Sequence, residues 1–309
     1  LKCKAHKYRD WKKWGHGKTD LKKSIVQSCD VFYYDLAVQM GIDKMHEFMN
    51  LFGFGKRSGI DVLGERSGLM PSREWKRKAR GQVWFPGETV IAGIGQGYML
   101  VTPLQLALAT ATLANGGKHY QPQLLHSIKS KADAVSRSVS KQLLHELSIN
   151  SKHHWDHVYK AMTDVIHSAR GTARRLDKPD LRYKIAGKTG TAQVFTVAQD
   201  EEYNDDELDE RLKDHALFMA FAPADSPKIA VGIVIENGGH GGAVAAPIAG
   251  QVIEYYLSRF SDEALHAPLP VNQPSPPAAE QPAAGQAAEA QQAADAGTKP
   301  QTQEQDNHG

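Results

Sequence analysis

The chain has few of the features that mark several common protein classes. Its 309 residues include only two cysteines, Cys3 and Cys29, too few to predict a disulfide framework, and whether the two pair stays open. The formal net charge is only +2, which argues against electrostatic nucleic-acid binding even though basic residues crowd residues 1–23. The sequence has no run of about 18 consecutive apolar residues, so no membrane-spanning helix is predicted within it.

Apolar residues make up 41% of the chain, enough to build a substantial core. We therefore expect one large domain at residues 1–266. From Pro268 onward the sequence is dominated by proline, alanine, glutamine and glutamate. Such a composition cannot bury enough apolar area to offset the entropy of ordering the chain. Residues 267–309 are therefore predicted to form a disordered tail.

The most informative stretch is Lys188-Thr189-Gly190-Thr191, which lies in a run of β-forming and small residues at 183–195. On a strand at a sheet edge, Lys188 supplies a fixed cation and Thr189 a hydroxyl beside it. Gly190 leaves room for another backbone, and Thr191 offers a main-chain N–H to the same groove. This combination could bind an extended peptide carboxylate and stabilise an oxyanion. Alone, it would more often be a surface strand with a solvated lysine.

A second motif, Ser28-Cys29-Asp30, stands far upstream. In this order and at this separation, S-C-D and K-T-G-T resemble the second and third motifs of penicillin-binding proteins and β-lactamases. Residues 9–17, 40–43 and 93–98 are further similar to the penicillin-binding protein 2 family of Gram-negative bacteria. The resemblance covers roughly the first 260 residues.

The resemblance implies an α+β transpeptidase fold, with an antiparallel sheet flanked by helices and a helical subdomain. It implies a peptidoglycan D,D-transpeptidase of cell elongation that cross-links D-alanyl-D-alanine stem peptides and is acylated by β-lactams. It also implies elongation-machinery membrane proteins as partners, including a glycosyltransferase, and a location at the periplasmic face of the inner membrane. A β-lactamase and a non-enzymatic penicillin-binding sensor or scaffold remain alternatives.

The family's first motif, S-x-x-K, is absent from residues 1–27, ahead of S-C-D. The literal match Ser138-Val139-Ser140-Lys141 falls between the other two motifs in a polar stretch, so we interpret it as a chance match. We expect the chain to be the C-terminal part of a longer enzyme. The nucleophilic serine, its lysine and a membrane anchor would then lie upstream of Leu1.

By resemblance, Ser28 acts as a proton relay near Lys188, and Asp30 hydrogen-bonds an incoming amide and orients the lysines. Asp30 stands where the family more often has asparagine, which leaves its role less defined. Lys188 and Thr189 bind the substrate carboxylate, and the N–H of Thr191 completes the oxyanion hole.

The resemblance also implies a structural zinc site next to the active site, formed by Asp10, His16 and Cys29 with a further aspartate upstream of residue 1. Aspartate, histidine and cysteine are all zinc-binding residue types. Without the resemblance, unrelated polar residues would be the better interpretation of this spacing. A Cys3–Cys29 disulfide is the competing account of Cys29.

The remaining pattern predicts several further elements. Asp20 caps a helical region that continues to Met40 and, by resemblance, is interrupted near Cys29. Three histidines near the start of a helix at 151–166 are interpreted as exposed rather than metal-binding, and residues 56–87 as a loop region. Other predicted elements are a helix capped by Asp43, a helix opened by Thr102-Pro103, a strand pair at 215–222 and 228–236, and a helix at about 245–259.

Overall fold

The computed structural model describes residues 2–3, 6–130, 136–149, 151–194 and 209–260. The predicted tail at 267–309 lies outside these ranges. The helices are α1 (Leu21–Val26), α2 (Asp30–Met40), α3 (Ile42–Asn50), α4 (Arg73–Arg80), α5 (Pro86–Ala92), α6 (Pro103–Ala114), α7 (Lys152–His167) and α8 (Ala245–Arg259). The strands are β1 (Lys2–Cys3), β2 (His6–Lys7), β3 (Lys118–Tyr120), β4 (Ser127–Lys129), β5 (Ser136–Ser138), β6 (Leu143–Glu146), β7 (Ala186–Ala192), β8 (His215–Ala222) and β9 (Ile229–Ile235).

The central element is an antiparallel sheet in the order β7-β8-β9. Strand β7 carries the K-T-G-T motif, and Lys188 lies opposite Met219 of β8. Strands β8 and β9 form the predicted hairpin. Among the described strands, β7 therefore lies at one edge of this sheet, where its outer main-chain groups can meet another partner.

Helices cover the sheet and bury its apolar residues. Helix α7 packs against β7, while α6 and α8 pack against β9 and β8. The core contains the fully buried side chains of Phe218 and Phe221 from β8, Val165 and Ile166 from α7, and Ile253 from α8. The K-T-G-T strand is thus held on one side by β8 and on one face by α7.

A second, smaller apolar cluster lies in the helical region before the sheet. It joins Ile42, Phe54, Met70, Ala92 and Ala109. Helix α2 packs against both α3 and α5 in this part of the chain. An antiparallel sheet flanked by helices, together with this helical region, confirms the predicted α+β class.

Most predicted elements are present, with local corrections. Asp20 caps α1 by accepting from the N–H of Lys23 at 2.7 Å, and Thr102 caps α6 in the same way from Gln105 at 3.1 Å. Asp43 is not a cap, because α3 begins at Ile42 and places Asp43 within its first turn. The predicted loop at 56–87 contains helix α4, capped by Ser72. Strand β7 ends at Ala192, short of the predicted limits.

No helix within the described ranges is long and apolar enough to cross a membrane.

Candidate functional site

The S-C-D motif forms the turn between two helices. Helix α1 ends at Val26 and α2 begins at Asp30, so the predicted interruption near Cys29 is confirmed. Ser28 has φ = 53°, in the left-handed region that residues other than glycine rarely adopt. The indole nitrogen of Trp11 donates to the carbonyls of Gln27 at 3.1 Å and Ser28 at 2.8 Å. These bonds hold a strained turn between the two helices.

The turn meets the K-T-G-T strand through one side-chain contact. Lys188 Nζ donates a hydrogen bond to Ser28 Oγ across a sequence separation of 160 residues. The same ammonium donates to the carbonyl of Thr189 at 2.8 Å. The fold therefore brings two of the predicted catalytic residues, Ser28 and Lys188, into direct contact.

Burial shifts the pKa values of two charged residues at this site, Lys188 and Asp30. Loss of hydration lowers the pKa of Lys188 to about 8, and the negative charge of Asp30 opposes part of that shift. Loss of hydration also raises the pKa of Asp30 to about 6, although Asp30 Oδ2 accepts from the N–H of Trp11 at 2.9 Å. Near neutral pH the lysine stays mostly protonated, but it releases a proton more readily than a solvated lysine does.

The rest of the K-T-G-T strand is held by residues that the sequence did not single out. Thr172 Oγ1 lies 2.9 Å from Thr189 Oγ1 and fixes the hydroxyl predicted to bind a carboxylate. A side chain added at Gly241 would come within 2.3 Å of the Gly190 carbonyl, so the chain's own backbone lies against Gly190. Neither contact is visible from motif spacing, because both partners come from distant loops.

The three predicted metal ligands also converge. One donor atom from each of Asp10, His16 and Cys29 lies within 4.8 Å of the others. His16 Nδ1 lies 3.1 Å from Asp10 Oδ2, and Cys29 Sγ lies 3.2 Å from the same oxygen. Cys29 is buried and free, which argues against its pairing with Cys3, and burial raises the pKa of its thiol. Three buried donors of these types, facing one point, fit a zinc ion.

An open cavity of about 570 Å³ lies next to this cluster. It is lined by Trp11, Lys12, His16, Gln27 and residues 170–172. The cavity therefore borders the cluster of Asp10, His16 and Cys29, the S-C-D turn and the loop that carries Thr172.

The remaining candidates of the sequence do not join this site. Ser138, of the literal S-x-x-K match, ends the short exposed strand β5. Lys141 lies outside any helix or strand, so the two residues do not share one face of a helix as the S-x-x-K motif requires. The histidines His153, His154 and His157 are exposed on α7, as predicted.

Comparison with known proteins places this fold and site in a family. Residues 2–254 match the family model described as the penicillin binding protein transpeptidase domain. The chain belongs to this family.

Individual relatives agree with that assignment. Over 254 residues the chain is 46% identical to the peptidoglycan D,D-transpeptidase MrdA of Acinetobacter baumannii, covering 82% of this chain and 37% of the relative. The structure is similar to that of penicillin-binding protein 2 (PBP2) from Pseudomonas aeruginosa in complex with WCK 5153, with a TM-score of 0.70, 46% identity, and coverage of 83% of this chain and 53% of that one. PBP2 of Helicobacter pylori in complex with MreC gives a TM-score of 0.70 at 30% identity, with coverage of 84% and 44%.

Proposed function

We propose that the chain supplies the substrate-binding and proton-handling part of the active site of a peptidoglycan D,D-transpeptidase. The observation that carries the proposal is the contact of Lys188 on the K-T-G-T strand with Ser28 in the S-C-D turn. Two motifs defined by sequence alone meet there at the edge of a sheet. Because the chain spans 37% of the length of the Acinetobacter relative, the activity of a whole enzyme is part of the proposal.

The reaction has two bond exchanges. A serine oxygen attacks the carbonyl carbon of the penultimate D-alanine, the peptide C–N bond breaks, and the leaving D-alanine takes up a proton. An acceptor amine then attacks the resulting ester, forms a new peptide bond and returns the serine oxygen with a proton. The serine and its lysine belong to the S-x-x-K motif, which is predicted to lie outside residues 1–309.

Residues of β7 would bind the substrate in both steps. Lys188 and the hydroxyl of Thr189 bind the terminal carboxylate, since they are the cation and the donor at the free edge of the strand. The N–H of Thr191 faces the position where the carbonyl oxygen gains negative charge, and it would form half of the oxyanion hole. Thr172 keeps the Thr189 hydroxyl in place through the 2.9 Å contact.

Ser28 and Lys188 would move the proton to the leaving amine. A lysine with a pKa of about 8 is protonated near neutral pH and gives up its proton at modest cost. Its ammonium already donates to Ser28 Oγ, so a proton can pass from Lys188 through the Ser28 hydroxyl to a bound amine. Asp30 supplies the nearby negative charge that favours the protonated lysine.

Asp10, His16 and Cys29 would hold a structural zinc ion beside this site. The metal supplies a fixed link between the N-terminal segment and the S-C-D turn, and coordination favours the thiolate of Cys29. The convergence of the three donors within 4.8 Å supports this assignment.

The biological setting follows from the family. We propose action at the periplasmic face of the inner membrane, with stem peptides as substrates and β-lactams as acylating mimics. Membrane proteins of the elongation machinery, including a glycosyltransferase, are the proposed partners. The PBP2 of Helicobacter pylori in complex with MreC supports partners of this kind.

The deciding experiment begins with the codons upstream of Leu1 in the gene. The complete gene product, its Ser28→Ala variant and a Ser138→Ala control would be compared for covalent labelling by fluorescent penicillin. Labelling of the wild type and Ser138→Ala proteins, with slow labelling of Ser28→Ala, supports the proposal. Labelling of the 309-residue chain at Ser138 would overturn it.

Two results would favour the alternatives. Rapid turnover of a chromogenic β-lactam by the complete gene product would indicate a β-lactamase, since a transpeptidase acyl-enzyme deacylates slowly. A gene product with no serine of an S-x-x-K motif would indicate a sensor or scaffold.

A further inference from the structure

Two cationic side chains line the open cavity beside the S-C-D turn. The lining of this cavity of about 570 Å³ includes Lys12 and Arg170, together with Trp11, Gln27 and Thr172. Both cationic residues are exposed, and neither side chain forms an ion pair or a hydrogen bond with another described residue. The volume lies in the range of sites that bind small ligands. The cavity therefore suits a ligand that carries negative charge.

The turn that carries Lys12 is held in place by its main chain. The N–H of Lys12 donates to Asp10 Oδ1 at 3.0 Å, and its carbonyl accepts from the N–H of Gly15 at 2.8 Å. The preceding residue, Trp11, is fixed to the S-C-D turn by its indole nitrogen. The Lys12 ammonium therefore extends from a fixed base.

The turn that carries Arg170 is held against the end of α7. The N–H of Gly171 donates to the carbonyl of Ser168 at 3.1 Å. A side chain at Gly171 would come within 2.1 Å of the Val165 carbonyl, so the turn packs directly on the helix. The guanidinium of Arg170 is thus also carried by a fixed main chain.

The cavity lies at one end of the proposed substrate groove. Gln27 directly precedes Ser28, and Thr172 Oγ1 lies 2.9 Å from Thr189 Oγ1. Along β7, Thr189 marks the proposed carboxylate end of the peptide that acylates the serine, and Thr191 marks its scissile carbonyl. That peptide continues beyond Thr191, away from Thr172. It does not occupy the cavity.

The second bond exchange needs space on this side of Ser28. D-Alanine leaves from the carboxylate end, and the acceptor amine must take the position that the leaving amine vacates. Its nitrogen attacks the ester carbonyl carbon, the bond from that carbon to the serine oxygen breaks, and the proton of the amine passes to the serine oxygen. A carboxylate beside the acceptor amine can replace that of the departed D-alanine at Lys188 and Thr189. The rest of the acceptor then lies toward the cavity.

We propose that this cavity is the acceptor subsite and that Arg170, assisted by Lys12, selects acceptors with a second carboxylate. The inference rests on the proposed transpeptidase function and adds the class of acceptor to it. That class is an amine with one carboxylate beside it and another farther along the molecule. A guanidinium binds a carboxylate through two parallel N–H groups, and a carboxamide of the same shape does not match that pattern. Arg170 is a specificity residue, since it contacts the acceptor but takes no part in the bond exchange.

The test is a competition between two acceptors of nearly equal shape. The complete gene product would be acylated by the thioester N-benzoyl-D-alanyl-thioglycolate, whose thiol leaves as the serine ester forms. D-Glutamate and D-glutamine, present together at equal concentration, compete for the acyl group, and attack by water releases benzoyl-D-alanine. Chromatography gives the ratio of the two amide products. This ratio does not depend on how much of the protein is active.

Removing the guanidinium should weaken the selection for D-glutamate. The ratio of glutamate product to glutamine product should be about fivefold higher for wild type than for Arg170→Gln, as for one partly exposed charged contact. Comparing variants cancels the different basicity of the two amines. Lys12→Gln should lower the ratio about twofold, and Arg170→Lys should keep about half of it because the charge remains. Acylation by the thioester should keep its wild-type rate in all three variants, since the acylating peptide does not occupy the cavity.

The control Arg80→Gln separates a local contact from a general effect of charge. Arg80 ends α4, is exposed and lies outside the set of described residues that line the cavity, and its replacement changes the net charge by the same amount. This variant should keep the wild-type product ratio. An unchanged ratio in Arg170→Gln, or an equal fall in Arg80→Gln, would overturn the inference.

The products also separate failure of the inference from failure of the proposed function. Benzoyl-D-alanine formed by the enzyme without either amide product would support acylation and overturn the acceptor subsite. If the gene product forms neither benzoyl-D-alanine nor an amide product, the proposed function fails, and the acceptor subsite with it.

Discussion

The indole nitrogen of Trp11 donates a hydrogen bond to the main-chain carbonyl of Ser28, 2.8 Å away. This bond joins the segment that carries Asp10 and His16 to the turn that carries Ser28, Cys29 and Asp30. The main-chain N–H of Trp11 strengthens the link by donating to Asp30 Oδ2 at 2.9 Å. Trp11, which is 63% exposed, thus connects the cluster of Asp10, His16 and Cys29 to the S-C-D turn.

Replacing Trp11 with phenylalanine should loosen this turn. The change removes two side-chain hydrogen bonds, and at an exposed position we expect a loss of about 1 kcal/mol in the free energy of unfolding. Urea denaturation of the 309-residue chain measures it. Trp14→Phe is the matched control, because Trp14 is 87% exposed and makes no hydrogen bond recorded among the described residues. Equal effects of the two substitutions would contradict a role for the Trp11 indole.

Lys188→Ala should slow acylation of the complete gene product by labelled penicillin roughly 10²- to 10³-fold, as for loss of a preorganised charge. Thermal stability should change little. Burying the ammonium costs free energy, as the lowered pKa of Lys188 indicates, so removing the charge offsets the loss of its hydrogen bonds. Lys188→Arg keeps the charge but does not release a proton, so it should restore only part of the rate. A large fall in melting temperature with nearly normal acylation would instead make Lys188 a structural residue.

Much of the fold could be predicted because its signals are local. The caps Asp20 and Thr102 identify α1 and α6, and the apolar spacing identifies α7. Helix α4 was not predicted, since its sequence is almost entirely charged and lacks an apolar stripe. Burial of Lys76 among aromatic rings and its pairing with Glu88 stabilise that helix through tertiary contacts. Ser72 before it and the left-handed Gly81 after it were the available local signals.

Only those residues of the site that belong to sequence motifs could be predicted. S-C-D and K-T-G-T identify Ser28 and Lys188, and the fold brings them together. Thr172 and Gln96 could not be found in this way, because they contact β7 from 17 and 95 residues away. Glycines on either side of Gln96 favour a tight turn, but no spacing rule predicts which strand a turn will contact.

Protonation of a buried histidine should make the fold less stable in mild acid. His119 is 4% exposed, and its ring stacks on His145 with centroids 4.7 Å apart. Burial lowers the pKa of His119 from the usual 6.5, and the positive charges of His145 and Lys56 lower it further. Below about pH 6.5 the unfolded chain therefore binds a proton that the folded chain does not. The free energy of unfolding should fall as the pH falls through this region.

The raised pKa of Asp30 has the opposite effect: between pH 3.8 and about pH 6 it makes the free energy of unfolding rise as the pH falls. The informative quantity is therefore the difference between the pH profiles of wild type and a His119 variant. His119→Gln removes the titration and keeps a side chain that can hydrogen-bond Thr112. Chemical denaturation at pH 5 to 8 should show a flatter profile for this variant than for wild type. Parallel profiles for wild type and His119→Gln would refute the assignment.

The final prediction concerns zinc. With three converging donors, the 309-residue chain should bind zinc, more weakly than a full four-ligand site would, and zinc should raise its melting temperature because only the folded chain brings the donors together. Cys29→Ser should lose the bound metal and the thermal shift, whereas Cys3→Ser should keep both. Elemental analysis of protein purified without chelators and melting curves with added zinc measure the two effects. A thiol count under denaturing conditions should give two free cysteines, because Cys29 is a free, buried thiol in the fold. Equal metal content in the two serine variants, or a count of no free thiols, would favour the Cys3–Cys29 disulfide over the metal.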